Sequence, residues 1–360
     1  MKEHTTGKRG RRDSLTPIRR QYLALKAEHP DKILLFQMGD FYEAFDEDAH
    51  LLAHDLGVTL TTKRLGKAIH VPLAGIPVSR LNHYLARLLQ RGRHVAICDQ
   101  VTPAAGEGLV ERKVVRVVSP GTIEDPALLS ARRNNYLAAF VPPQAGEGGI
   151  AGLAYADIST GEFTAAQMAS GEAVGELLRL SPAEVLLPPD AAIELPSAIA
   201  STSLAEGHFD LEACRGALAS CFGTLAATGI EGEAQALRAA GAIVRYLEAR
   251  QPHALRHLTR MTPFAPATFV RISPQSFRDL EVFESSHPAG SLLSVLDLSV
   301  TAMGGRLLRR RLRQPLCDPE SIERRLDGVA WFFSRGDLRR QVRSELSGVT
   351  DLERLIGRVR

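Results

Sequence analysis

The sequence predicts an α/β protein in which two α/β domains precede the start of an all-helical one, and three observations carry that expectation. Short apolar runs such as Ile33 to Phe36 and His94 to Val101 alternate with stretches of helical spacing, the texture of a compact α/β domain. Two further runs, Ile150 to Ile158 and Glu162 to Met168, flank the turn sequence Ser159-Thr160-Gly161 and open a second domain of the same class. From about residue 285 the pattern is helical throughout.

Taken in order, Thr16 before Pro17 is a good helix start, with Ile18, Tyr22 and Leu25 on one face and Pro30 closing the segment. A buried strand follows at Ile33 to Phe36. The spacing then predicts a helix from about Phe41 to Leu56, stopped by Gly57, and a short strand over Val58 to Thr62. Ser79 is placed to cap a third helix, whose Leu81, Tyr84, Leu85, Leu88 and Leu89 recur at helical spacing up to Gly92. His94 to Val101 and Lys113 to Val118 read as strands. The Pro- and Gly-rich stretch Pro142 to Gly149 reads as a joint before the second domain, which extends to about residue 250. Asp318 and Pro319 open a late helix with the apolar stripe Ile322, Leu326, Val329 and Phe333. Asp351 to Arg360 begins another after Thr350 without a cap, so the pattern reads as a chain cut mid-structure.

At 44% hydrophobic and 24% charged, the 360 residues have globular rather than disordered chemistry, enough for two or three domains. No run approaches the roughly 20 apolar residues of a membrane span, and residues 1 to 13 form a basic, polar tail without a signal-peptide core. A cytoplasmic protein with no membrane partner is expected. Cys98, Cys214, Cys221 and Cys317 form no Cys-x-x-Cys pair, and the eleven histidines form no His-Glu-x-x-His pattern, so no metal is expected. The chain contains no Gly-x-x-x-x-Gly-Lys-[Ser/Thr] loop, so neither a nucleotide cofactor nor ATP hydrolysis is expected of it. The net charge of +3 conceals a partition: +6 over residues 1 to 141, −10 over 142 to 240, +1 over 241 to 300 and +6 thereafter. A polyanion such as DNA is attracted to the ends and repelled by the middle, which reads as a spacer or protein-binding domain.

The most informative stretch is Gln37-Met38-Gly39-Asp40-Phe41-Tyr42-Glu43-Ala44-Phe45, where a buried strand breaks at Gly39 and aromatic residues crowd the turn. Phe41 at that turn is a candidate wedge that unstacks a DNA step and kinks the duplex. Stacking is worth about 1–3 kcal/mol and tolerates any base, so a wedge selects a weak point in the helix rather than a sequence. Glu43 then adds one hydrogen bond, as an ionised acceptor or as a protonated donor to a purine N7. A second reading needs no DNA: Asp40-x-x-Glu43 matches a helix N-cap with an acidic N3 partner, and Phe41, Tyr42 and Phe45 fill a core. The residue pattern leaves both open. Asp157, in the strand Leu153 to Ile158, is a candidate first carboxylate of a metal-dependent nuclease. Glu184, Asp190 and Glu212 show no metal-ligand spacing to complete it, and Asp157 also suits entry to a hairpin turn.

Leu35-Phe36-Gln37-Met38-Gly39-Asp40-Phe41-Tyr42-Glu43 resembles the most recognisable motif of the MutS DNA mismatch-repair family. The resemblance continues through Leu60-Thr61-Thr62, Pro72-Leu73-Ala74-Gly75-Ile76-Pro77, Val95-Ala96-Ile97-Cys98-Asp99-Gln100 and Val117-Val118-Ser119-Pro120-Gly121-Thr122. It resumes at Leu296-Asp297, Thr301-Ala302-Met303-Gly304-Gly305-Arg306-Leu307-Leu308-Arg309 and Gln314-Pro315-Leu316. It implies that Phe41 stacks on a mispaired or unpaired base from the minor groove while Glu43 hydrogen-bonds that base in sharply bent DNA. Met38, Gly39, Asp40 and Tyr42 would support the pair.

The implied organisation is a tail at 1–13, a mismatch-binding domain at 14–128, an RNase-H-like connector at 129–260 and the start of a helical core and lever domain at 261–360. The implied partners are double-stranded DNA with mismatches or small loops, and MutL docking on the connector. For the full-length family they are a second copy of the chain, ATP and Mg²⁺. Departures stand at Val78-Ser79, where the family usually has Tyr-His, at Asp99 for Glu and at Arg311 for Trp. Two other activities are weighed beside this one: ATP-independent binding of bent or damaged DNA, and the nuclease around Asp157.

Overall fold

The computed structural model describes residues 15–64, 70–101, 110–144, 148–287 and 290–359, so the basic tail at 1–13 lies outside the described residues. The chain divides into two compact units, residues 1–120 and 121–360.

In the first unit α1 (Pro17–Glu28) starts at Thr16, whose hydroxyl oxygen accepts the Arg19 amide at 3.4 Å. There follow β1 (Ile33–Met38), β2 (Phe41–Phe45), α2 (Glu47–Leu56), β3 (Thr61–Arg64), β4 (His70–Pro77), α3 (Leu81–Gln90), β5 (Val95–Gln100) and β6 (Arg112–Val118). The strands form one mixed sheet in the order β3-β4-β2-β1-β5-β6, with only β1 and β5 parallel. Side chains alternate across it. Leu34, Phe36, Phe45, Ala96 and Cys98 pack on the α1 side, where the Tyr22 ring meets Phe36 and Phe45 edge-on at 5.6 and 4.8 Å. Asp48 ties three elements together, accepting from the Tyr22 hydroxyl at 3.1 Å, the Leu34 amide at 3.0 Å and Lys26 Nζ at 2.8 Å.

The expected helix from Phe41 to Leu56 is corrected by this sheet. Residues 41–45 are a strand paired antiparallel to both β1 and β4, and the helix begins only at Glu47. Gly39, at φ +61°, permits a two-residue hairpin in which Met38 faces Phe41, the glycine-first arrangement of a type II′ turn. Asp40 and Glu43 are therefore not a helix capping pair. At the other end of α2, Gly57 adopts the left-handed C-cap that the sequence indicates. Ser79 caps nothing; it lies in a 3₁₀ turn, Val78–Arg80, that leads into α3.

In the second unit β7 (Leu137–Val141), β8 (Ile150–Asp157), β9 (Glu162–Ala169), α4 (Ser170–Leu180), β10 (Glu184–Leu187), β11 (Ala200–Ser203), α5 (Leu211–Phe222), α6 (Ala234–Arg250) and β12 (Thr262–Pro263) build a second sheet, ordered β11-β10-β7-β8-β9-β12. An antiparallel meander, β7-β8-β9, is extended on the β7 side by parallel β10 and β11. This is the RNase-H-like arrangement, with β12 added at the far edge. The Pro- and Gly-rich stretch Pro142 to Gly149 is no joint between domains, because the strands on either side of it in the sequence, β7 and β8, pair in this one sheet. α6 buries Ala236, Leu237, Ala240, Ile243 and Leu247 against one face, and α4 sets Ala173, Leu177 and Leu180 on the other. At Gly152 a methyl would lie 2.0 Å from the Gln235 carbonyl oxygen, so only glycine lets α6 approach β8 this closely.

The remainder is helical: α7 (Pro274–Asp279), α8 (Leu292–Leu296), α9 (Ala302–Arg313), α10 (Pro319–Phe333), α11 (Gly336–Ser347) and α12 (Leu352–Val359). Asp318 caps α10 by accepting the Ser321 amide at 2.9 Å. The apolar stripe of α10 is present but uncovered, its exposure rising from 37% at Ile322 to 80% at Phe333. Two buried arginines join these helices to the segment before β7. Arg306 pairs with Asp351 and Glu353 at 2.6 Å and donates to the Ala131 carbonyl at 2.7 Å. Arg354 donates to the carbonyls of Ser130 and Arg133 at 3.0 and 2.8 Å.

Candidate nucleic-acid interface

The hairpin of β1 and β2 sets the geometry of the candidate site. Because strand side chains alternate, Phe41 and Glu43 leave β2 on one face and Tyr42 and Ala44 on the other. Tyr42 is only 4% exposed, and its hydroxyl donates to Asp99 Oδ1 at 2.6 Å. Burial raises the Tyr42 pKa, and the bond to Asp99 raises it further. Tyr42 therefore anchors the hairpin rather than presenting a surface, and the family departure at Asp99 keeps a carboxylate able to accept from it.

Phe41 is 48% exposed, although it sits in an inner strand between Met38 of β1 and Pro77 of β4. The rival reading, that Phe41, Tyr42 and Phe45 all fill a core, holds for Tyr42 and Phe45 and fails for Phe41. The Asp40 side chain is exposed, while its carbonyl accepts the Val78 amide at 2.9 Å and fixes the turn against the segment that departs from the family. Gln37 braces the inner end of the hairpin: its carbonyl accepts Arg112 Nε at 2.6 Å and its Oε1 accepts the Gln100 amide at 3.0 Å.

Glu43 does not stand alone. Lys63 of β3 reaches across β4, and its Nζ donates to Glu43 Oε2 at 2.6 Å and Oε1 at 2.9 Å, with Met38 Sδ 3.9 Å away. Sequence reasoning missed Lys63. Its signal was its place directly after Leu60-Thr61-Thr62, but only the sheet order brings it to Glu43. Gly75 of the Pro72 to Pro77 motif faces Glu43 across the β2–β4 pairing.

The nuclease candidate is occupied by structural work. Asp157 is fully buried and accepts from Asn134 Nδ2, the Asn135 amide, and the amide and hydroxyl of Ser159, at 2.6 to 3.1 Å. Glu184 is equally buried and accepts from Thr202, Tyr246 and the Gly121 amide. Among the described residues no group of three or more His, Cys, Asp or Glu is placed to hold a metal ion. Among the same residues no helix is long and apolar enough to cross a membrane.

Comparison with known proteins places the hairpin in a wider match. Family models described as MutS domain I, MutS domain II and MutS domain III match residues 16–127, 135–259 and 275–360. The chain is similar to the DNA mismatch repair protein MutS of Dehalococcoides mccartyi, with 42% identity over 97% of this chain and 41% of that protein. It is similar to the same-named protein of Desulfatibacillum aliphaticivorans, with 42% identity over 96% and 40% of the two chains. For Symbiobacterium thermophilum the identity is 41%, over 96% and 41%. The chain thus spans about two fifths of the length of the curated relatives it matches. Three domain models in succession and close relatives along nearly every residue give one conclusion: the chain belongs to the MutS family.

Proposed function

We propose that this chain recognises mispaired or unpaired bases in double-stranded DNA, with Phe41 as the wedge and Glu43 as its hydrogen-bonding partner. The observation that carries the reading is the 48% exposure of Phe41 on the same strand face as Glu43, while Tyr42 and Phe45 are buried. An aromatic ring held half-exposed at a hairpin end is suited to enter a base step that a mispair has already weakened. Met38, Gly39, Asp40 and Tyr42 support it through the turn and its anchorage. The RNase-H-like domain, whose −10 charge over residues 142 to 240 disfavours phosphate, suits docking of MutL. Pairing with a second copy, and ATP with Mg²⁺, are assigned to the full-length family, whose work lies with the chromosome in the cytoplasm.

The test is fluorescence anisotropy on a G·T heteroduplex, a duplex with one unpaired thymine and a perfect duplex. Wild type is expected to prefer the first two. Phe41→Ala is expected to lose that preference while weak, salt-sensitive binding to perfect duplex survives, because backbone contacts do not need the wedge. An undiminished preference in Phe41→Ala would sink the assignment.

A further inference from the structure

Between the second sheet and α9 lies a recess of about 40 Å³ that is crowded with positive charge. It is lined by Arg133 from the segment before β7, Arg179 of α4, and Arg309, Arg310 and Arg313 of α9, against one carboxylate, Glu162. Glu162 is already taken, by the Tyr136 hydroxyl at 3.0 Å and Arg310 Nη1 at 3.5 Å. Arg179 is likewise paired, with Glu176. Arg133, Arg309 and Arg313 remain, and among the described residues none of them forms an ion pair with a carboxylate. Arg309 and Arg313 stand one turn apart on α9, with guanidinium carbons 5.5 and 5.0 Å from the centre of the Phe283 ring. Arg313 donates to the Leu180 carbonyl, while its Nε is buried without a partner. Burial, then the positive charges of Arg309 and Arg133, push the Arg313 pKa down to about 10, the direction expected where cations are gathered with no anion among them.

We infer that this recess binds a terminal phosphate group, as inorganic phosphate or a phosphate monoester, through Arg133, Arg309 and Arg313. A guanidinium presents paired N–H donors that match phosphate oxygens, and partial exclusion of water strengthens the attraction. The size agrees, since 40 Å³ admits roughly three to four water-sized groups, enough for the oxygens of one phosphate. The internal phosphodiester of a duplex continues into sugar on both sides and does not fit such a space, so this is not a backbone contact. The recess opens into a cleft of about 970 Å³ that shares Arg133, Arg179, Arg309 and Arg313 with it. Farther along, the cleft is lined by apolar Leu195 and Ile199 and by the carboxylates Glu194, Glu281 and Glu284. It has room for the rest of a monoester, while its carboxylates confine the pull on phosphate to the inner end. A phosphate held there ties α9 to the segment that enters the second sheet. The site is independent of Phe41 and Glu43, which belong to the first unit.

The experiment titrates wild type with inorganic phosphate by calorimetry, with chloride at equal ionic strength as the control, and repeats it as thermal melts. One site per chain is expected, with a rise in melting temperature by mass action. Arg309→Gln and Arg133→Gln are each expected to weaken binding about tenfold, the loss of roughly one charge-assisted hydrogen bond. Arg311→Gln, on the same helix but outside the recess, is expected to leave it unchanged. Arg133 is exposed, so its variant keeps the test decisive even where Arg309→Gln fails to fold. Duplexes ending in 5′-phosphate or 5′-hydroxyl distinguish the sources. A preference for the phosphorylated end that Arg133→Gln removes assigns a DNA end, and equal affinity for the two, beside binding of inorganic phosphate, assigns a small phosphate ester. Neither heat nor a melting shift with phosphate overturns the inference. So does equal weakening in Arg311→Gln, which would mean diffuse attraction to a basic face, and so does undiminished binding in Arg133→Gln.

Discussion

Gly75 faces Glu43 across the pairing of β2 with β4, and a methyl built on it would lie 3.7 Å from Glu43 Cγ and 3.9 Å from Phe41 Cδ1. Those are ordinary contacts, so Gly75→Ala is expected to keep both the fold and any heteroduplex preference. Gly75→Leu puts a branched side chain onto the face that Phe41 and Glu43 share. Its melting temperature and homoduplex affinity should hold while the heteroduplex ratio falls toward one. Titration of the two variants against matched duplexes checks this, and a full ratio in Gly75→Leu would move the reading surface elsewhere.

Arg306 is 3% exposed at its side chain and pairs with two carboxylates. Its removal leaves Asp351 partly buried without its main partner, and Arg306→Met is expected to cost about 3–5 kcal/mol of stability. Burial alone would raise the Asp351 pKa, but hydrogen bonds and charge from Arg306 hold it below the usual carboxylate range. A depressed folded-state pKa gives stability that is complete above the unfolded value, about 3.9, and is lost as pH falls through the folded one. Urea midpoints of wild type should therefore drop in acid more than those of Arg306→Met, and parallel curves would remove Arg306 from the account.

Asp157→Asn separates structure from catalysis. An amide in that position turns an NH₂ group toward donors that now bond to a carboxylate, and the expected loss is about 2–4 kcal/mol. Chemical denaturation measures it. Wild type incubated with supercoiled DNA and magnesium is expected to leave the DNA intact, and nicking that vanishes in Asp157→Asn would restore the nuclease reading.

The uncovered stripe on α10 predicts behaviour at high concentration. Val329 and Phe333 are 64% and 80% exposed, and Trp331 and Phe332 add further apolar area. Sedimentation velocity should show concentration-dependent self-association of this chain, reduced in the Val329→Lys, Phe333→Lys double variant. Identical profiles would mean that another surface drives it.

Legibility in the sequence followed how local each signal was. Thr16-Pro17, Gly57, Asp318-Pro319 and the hairpin around Ser159-Thr160-Gly161 all mark structure through bonds made within a few residues, and each element stands where they indicate. β4 is not legible locally, because Pro72 and Pro77 argue against an inner strand. Asp40-x-x-Glu43 imitates a capping pair and so predicts a helix where β2 stands, and only pairing to β1 on one side and β4 on the other decides against it. Phe41 and Glu43 were visible as candidates, since aromatic and acidic residues at a glycine turn are local. Lys63 and Gly75 were not, because strand order, which no local pattern encodes, brings them to that face.

The two-residue turn at Gly39 also bears on how fast the proposed wedge would act. Phe41 leaves the chain one residue past that turn, on a strand paired on both sides, so its backbone is already ordered before any duplex arrives. No loop has to fold during the encounter, and little conformational entropy is left to lose on the protein side. The slow coordinate is then the opening and bending of the duplex. Association rates should follow how readily each mispair unstacks, and the lifetime of the complex should follow what the ring and its neighbour do once inside.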